Sequence, residues 1–369
     1  MSRQRPSYAP LSGARLARRR PMPASAPPPA QITLNRGYVH LPNGATARFV
    51  AIPGHAETYR IEVTLPGDAI GRGDYETIPV EILRQSVQDA DRGSWASGPG
   101  HRPPHLAVES VPSLGMTIAP QPPIGADRGI PTGIFGADER ELLTSNHFPW
   151  CTVGRIDTPN GTGTGCTIGP RHLLTANHLI AWNDDGTAGW LRFRPAYDRG
   201  ASPFGEAWAT RVLAWSTTTP ADGMTTEEVA FDYALCVLDT PIGEIVGYPG
   251  YRTYGPTWNG GRYWQHIGYP SDLTTSQRPA YQGDLYVTSF GEHTIGEQQG
   301  YILGHFSDIV PGHSGGPLWG WWRDDPWPTV VGLQSSQATT PARTQEGDNE
   351  CAGGPALSLL IAHARERYP

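Results

Sequence analysis

From Ile134 onward, short apolar runs are cut repeatedly by glycine and proline, and this punctuation constrains the fold more than any other feature. Each run has the length of one strand: Trp150 to Ile156, Gly163 to Gly169, Leu173 to His178, Trp190 to Phe193, Ala209 to Trp215 and Phe231 to Leu238. Further runs follow at Tyr263 to Gly268, Leu285 to Phe290, Tyr301 to Phe306 and Thr329 to Gln334. Pro159-Asn160-Gly161 marks one of the turns between them. Many short strands with turn residues between them predict an all-β barrel or sandwich. The count of 45 Gly and 37 Pro favours short strands and many turns over long helices, because these are the two poorest helix formers. Only the end differs. Leu357, Leu360, Ile361 and Ala364 fall at helical spacing behind Pro355, which predicts a short C-terminal helix.

The first third reads differently. Residues 1–30 are rich in Pro and Arg, with Arg18-Arg19-Arg20 as a basic knot, and are expected to form a disordered, solvated tail. No apolar stretch of the kind a signal peptide needs follows that knot. Two apolar runs around Pro42-Asn43-Gly44 predict a hairpin, and Tyr59 to Leu65 predicts a further strand. Pro79 to Val87 is expected to hold one or two helical turns. Residues 93–132 lose periodicity and become rich in Gly, Pro and Ser, the composition of a linker. The expected organisation is a tail over 1–30, an extension over 31–132 and a β domain over 133–369. A net charge of −7 gives no reason to expect a nucleic-acid partner, and no run approaches the roughly 18 apolar residues of a membrane span.

The chemistry concentrates in Pro311-Gly312-His313-Ser314-Gly315-Gly316-Pro317. A serine between glycines in a tight turn presents a hydroxyl to a carbonyl. Gly312 allows a backbone conformation that a Cβ would obstruct, so the N–H groups of Gly312 and Ser314 can converge where an oxyanion forms. A serine hydroxyl is a weak nucleophile and needs a base, and the base needs an orienting carboxylate. His178 ends one apolar run and Asp232 opens another. The order His, Asp, Ser is that of one known triad arrangement and differs from two others. The spacing of the four cysteines and of His172, His266, His293, His305 and His313 matches no metal site, and no cofactor is expected. Cys151 and Cys166 flank the Asp157–Gly161 turn in near-opposite positions and are expected to form a disulfide. Cys236 reads as a small buried hydrophobe, and Cys351 as its partner or a free thiol.

These residues resemble the glutamyl endopeptidase (V8-like) branch of the chymotrypsin-fold serine proteases. The likeness runs from about Ile134 to the C-terminus. It rests on Phe135-Gly136-Ala137-Asp138-Glu139-Arg140, Ile168 to His178, Asp232 to Tyr248, Gly268-Tyr269-Pro270-Ser271-Asp272 and the Ser314 turn. It implies a chymotrypsin-like double β-barrel and hydrolysis of peptide bonds by His178, Asp232 and Ser314. It also implies protein or peptide substrates, a secreted zymogen cut by an activating protease near Gly133, and a monomer. In this branch a threonine and a histidine help bind a glutamate side chain. The corresponding residues are Ile309 and Gln334, which together with Asp308 and Ser335 are the candidate substrate-binding residues. Asp308 has two readings, an acid that selects basic side chains or a structural hydrogen-bonding acid. His313 stands where trypsin-like enzymes carry the aspartate that pairs with the new N-terminus. A catalytically silent relative that binds peptides is the competing reading of the whole.

Overall fold

The computed structural model describes residues 9–28, 38–40, 46–51, 59–64, 77–83, 96–116, 133–219, 223–323, 325–337 and 348–369. Strands β1 (Tyr38–His40), β2 (Thr46–Ala51) and β3 (Tyr59–Thr64) form a three-stranded antiparallel sheet, as the hairpin pattern predicts. The Pro42-Asn43-Gly44 turn lies outside the described residues.

Three local expectations in the extension are corrected. Thr77–Ile82 is a strand, β4, and not a helical turn; residues 84–87 lie outside the described residues. Ile78 points inward while Thr77 and Pro79 point out, a period of two, and both edges of β4 find backbone partners. The composition over 93–132 suggests a linker, yet 96–116 is packed against the β domain. It carries β5 (Ser97–Gly98) and β6 (Leu114–Met116), and buries Leu106 and Val108. Its glycines serve close approach here: a Cβ on Gly98 would strike the Tyr251 ring. The basic tail is also ordered over 9–28. Gly13–Leu16 forms a helical turn, and Leu16 is buried against a cluster that holds Leu106, Val108, Phe148 and Trp321.

After β7 (Glu141–Leu143) come β8 (Val153–Thr158), β9 (Gly161–Gly169), β10 (His172–Thr175), β11 (Thr187–Gly189), β12 (Arg192–Pro195), β13 (Ala207–Ala214) and β14 (Ala234–Leu238). Six of these, β8, β9, β10, β14, β13 and β12, pair in that order and close into an antiparallel barrel. β4 runs parallel to the second half of β13, and β11 pairs with its other edge. The expected turn joins β8 to β9: Thr158 faces Gly161, whose φ of 130° suits glycine.

The second sheet is built from β15 (Gly250–Arg252), β16 (Trp264–Gly268), β17 (Ala280–Leu285), β18 (Val287–Ile295), β19 (Gln298–His305), β20 (Pro317–Trp321), β21 (Pro328–Ser336) and β22 (Asn349–Gly353). These join β5, β6 and β7 in one sheet, in a chymotrypsin-like double-barrel arrangement. The C-terminal helix, Pro355–Arg367, starts at the expected proline. It is buried more fully than its spacing predicts, because the extension covers its polar side. Glu81 of β4 accepts from Tyr368 and pairs with His363, and Arg365 donates to Pro99 O. No helix among the described residues is long and apolar enough to cross a membrane.

The expected Cys151–Cys166 disulfide does not form; all four cysteines are buried free thiols. Cys151 lies in a 3-10 turn, Trp150–Thr152, ahead of β8, so Cys166 faces Val153 instead. The Cys151 thiol donates to Val246 O at 3.3 Å. Burial pushes the Cys166 and Cys236 thiols up to about 12.

Candidate active site

The site lies where the first barrel meets the second sheet. β10 ends in Thr175, and a 3-10 turn, Asn177–Leu179, then carries His178. Asn177 locks that turn: its side chain donates to Ser216 O and accepts from Thr218 N and Trp182 Nε1. Asp232 follows the helix Thr226–Ala230, which a capping box between Thr225 and Glu228 fixes at its start. Asp232 is fully buried and accepts three hydrogen bonds, from His178 N (2.8 Å), His178 Nδ1 (2.7 Å) and Ser335 Oγ (2.6 Å). A carboxylate held by three donors accepts the imidazole Nδ1–H and leaves Nε2 as the basic nitrogen. Burial disfavours charge on His178. The charge and hydrogen bond of Asp232 outweigh it, and the imidazole pKa stands above its ordinary value.

Ser314 sits on a turn stitched to both sheets. Thr164 of β9 is the latch: its N–H donates to Ser314 O (2.9 Å) and its hydroxyl to Gly312 O (2.7 Å), and the same hydroxyl accepts from Tyr269 N. Gly315 N donates to Gln334 O, and Gln334 N to Gly316 O, which ties the turn to β21. Gly312 (φ 102°) and Gly315 (φ 83°) hold conformations that side chains avoid. A Cβ on Gly315 would strike Thr164 O, Thr175 Oγ1 and Ala176 N, so the serine turn touches the chain two residues before His178. Among the described residues, the N–H groups of Gly312 and Ser314 donate to no other group, and no hydrogen bond joins Ser314 Oγ to His178.

The structure brings together His178, Asp232 and Ser335, and places Asp308, Ile309 and Gln334 behind the serine turn. Ser335 faces Asp232, a role the sequence reading did not give it. Asp308 is buried and accepts from Phe135 N and Glu139 N, both at 2.8 Å, the geometry of the structural reading. Burial raises its pKa to about 6. Ile309 is buried, and its N–H donates to Gly133 O. His305 Nδ1 accepts from Ser307 N, so its Nε2–H donates to Gln334 Oε1 (3.0 Å). Gln334 Nε2 donates to Ser336 O and Glu350 O, which uses both of its N–H bonds.

Over 187 residues the chain is 28% identical to the glutamyl endopeptidase of Bacillus licheniformis, matching 50% of this chain and 54% of that protein. The chain is similar to the glutamyl endopeptidases. A protein named extracellular metalloprotease, from Bacillus subtilis, is 26% identical over 191 residues, 48% of this chain and 59% of its own length. The chain thus spans little more than half the length of the curated relatives it matches. No family profile matches it. Among solved structures, a Glu endopeptidase aligns at 19% identity and a TM-score of 0.49, over 63% of this chain and 99% of that one. A thermostable serine protease, AL20, aligns at 18% and 0.40, over 58% and 96%. The name of the Bacillus subtilis relative implies a metal. Among the described residues no group of three or more His, Cys, Asp or Glu side chains is arranged to hold one.

Gln334 is thus fully engaged with protein groups, and the Ile309 side chain carries no donor. Two features escaped the sequence reading. His266 of β16 stacks on His313, with ring planes 19° apart and Nδ1 atoms 3.4 Å apart. One of those nitrogens donates and the other accepts, and burial disfavours a proton on either ring, which keeps the pair neutral at the serine turn. Arg140 is buried between Asp138 (2.7 Å) and Asp272 (2.6 Å) and braces the chain after Gly133.

Proposed function

We propose that the protein is a serine endopeptidase that cleaves peptide bonds through an acyl-enzyme. The single observation that carries this reading is the bond from His178 Nδ1 to a buried Asp232 that two further donors hold in place. Ser314 attacks the scissile carbonyl while His178 Nε2 takes its proton. Asp232 fixes the tautomer and stabilises the imidazolium. The unengaged N–H groups of Gly312 and Ser314 receive the oxyanion. His178 then returns the proton to the leaving amine, and water releases the acyl group by the reverse steps.

No basic preference is expected at the residue before the cut, because two backbone N–H groups occupy Asp308. Nor is a strong glutamate preference, because Ile309 and Gln334 offer no free donor. Protein or peptide substrates and action outside the cell follow from likeness to relatives with those names. Labelling with a fluorophosphonate probe tests the proposal. Label on Ser314 that is lost in Ser314→Ala supports it. An unlabelled, folded wild-type protein supports the silent peptide-binding relative instead.

A further inference from the structure

The first third of the chain bears on how the site is made ready. We propose that residues 9–28, 77–83 and 96–116 are a permanent clasp on the β domain. They remain in the working enzyme, and bound to it even after a cut ahead of Gly133, and are not a segment shed on activation. The part of this inference that concerns activity rests on the serine endopeptidase reading; the part that concerns retention does not.

Three described stretches engage the β domain separately. β4 takes backbone bonds on both edges, from β11 and β13, and Leu83 N continues the ladder to Ala214 O. Removing it would leave both strands without those partners and take Ile78 and Leu83 out of two different core clusters. Residues 96–116 pair with the second sheet through Gly98 and Tyr251, and exchange bonds between His101 and Tyr248. Ala107 and Glu109 bracket Phe148 on the backbone, and Glu109 holds Ser145 and His147 by its side chain. Ser110 O accepts from the buried Gln265. Residues 9–28 close over the rest: Leu11 N donates to Trp321 O, Arg19 lies over the Trp321 ring, and Met22 bridges Val108. Buried apolar side chains and ladder bonds of this kind make these stretches part of the same packed core as the β domain. None of these stretches hydrogen-bonds to His178, Asp232, Gly312 or Ser314, so none blocks the cleft by such a bond.

The site also shows no dependence on a freed amino terminus. Gly133 is already seated in the continuous chain: its carbonyl accepts from Ile309 N and Asn349 Nδ2. Asp308 is satisfied by Phe135 N and Glu139 N. His313, next to the nucleophile, is held by His266, with no ammonium as its partner. The uncut chain therefore carries a formed serine turn.

The test uses the full chain with a foreign protease recognition site placed between Met116 and Gly133. After cutting, the two pieces should co-elute in native buffer and separate only in denaturant. The uncut chain should take the fluorophosphonate label with no loss of rate against the cut form. Separation of the N-terminal piece in native buffer overturns the clasp, as does labelling that appears only once that piece has left. Should neither form label, the protease reading fails and co-elution alone decides the clasp. Expression of 133–369 by itself is the second measurement. It should give no soluble, labelled protein unless 1–116 is supplied as a separate chain, and a soluble, probe-reactive 133–369 alone overturns the inference.

Discussion

At the scale of single residues, the site is a set of orientations around one carboxylate. Asp232→Asn should fold but hold His178 in the wrong tautomer, lowering kcat on the order of 10⁴-fold. Ser335→Ala removes one of three donors to the same buried group and should cost about 1.5–3 kcal/mol of stability, read as a shift in urea midpoint. The pH dependence follows from the directions of the shifts. On the serine endopeptidase proposal the working base is neutral His178, whose pKa is raised, so kcat/KM should climb with pH through a midpoint above 6.5. Stability runs the other way from most imidazoles. Burial holds His172 and His305 at about 4 and His266 at about 3, with His313 also well below the ordinary value. The unfolded chain takes up those protons at 6.5 and the folded chain does not, so stability falls as pH drops from 6.5 through 4. Asp308, Glu350 and His178 are raised and oppose this, while Glu81, Asp157 and Asp185 are lowered and add to it at the acid end. A urea midpoint at pH 5 no lower than at pH 7 would contradict the assignment. The pairing of His178 with Asp232 was legible because each stands in a telling local context, one ending an apolar run and the other opening one. The stacked His266 and His313 were not, because 47 residues separate them and only the fold brings their rings together.

At the scale of elements, the strands of the β domain were legible because alternation and turn residues agree at each step. The failures have specific causes. Cys151 belongs to a 3-10 turn and not to the strand it precedes, which removes it from the hairpin register. Thermal unfolding should therefore be indifferent to reductant, a comparison of Tm with and without dithiothreitol. Pro79 to Val87 lacked a strand signal, since β4 is ordered by partners more than a hundred residues away. The serine turn depends on a latch no motif announces. Thr164→Val should leave Gly312 O and Tyr269 N without their hydroxyl and cost about 1–3 kcal/mol. Its activity should fall by more than that of a surface threonine substitution, because the oxyanion N–H groups lose their anchor.

At the scale of the whole molecule, the double-barrel architecture and the C-terminal helix were legible, and the integration of the first third was not. Gly, Pro and Arg read as tail and linker by composition, yet here they serve close packing against Tyr251 and Trp321. Leu106→Ala should destabilise the entire protein by about 2–5 kcal/mol, the range for a buried leucine, and do so in one cooperative transition. An early, separate transition for the extension would argue against its place in the core. Glu81 meets Tyr368 and Arg19 meets Asp325, contacts 287 and 306 positions apart along the chain. Such distant pairings slow folding, because the ends must find each other before either is held. The ribosome makes Glu81 long before Tyr368, so the clasp cannot shut until the C-terminal helix has been made. Contacts that close late in this way keep the first barrel open at β4 while the second sheet is still being made.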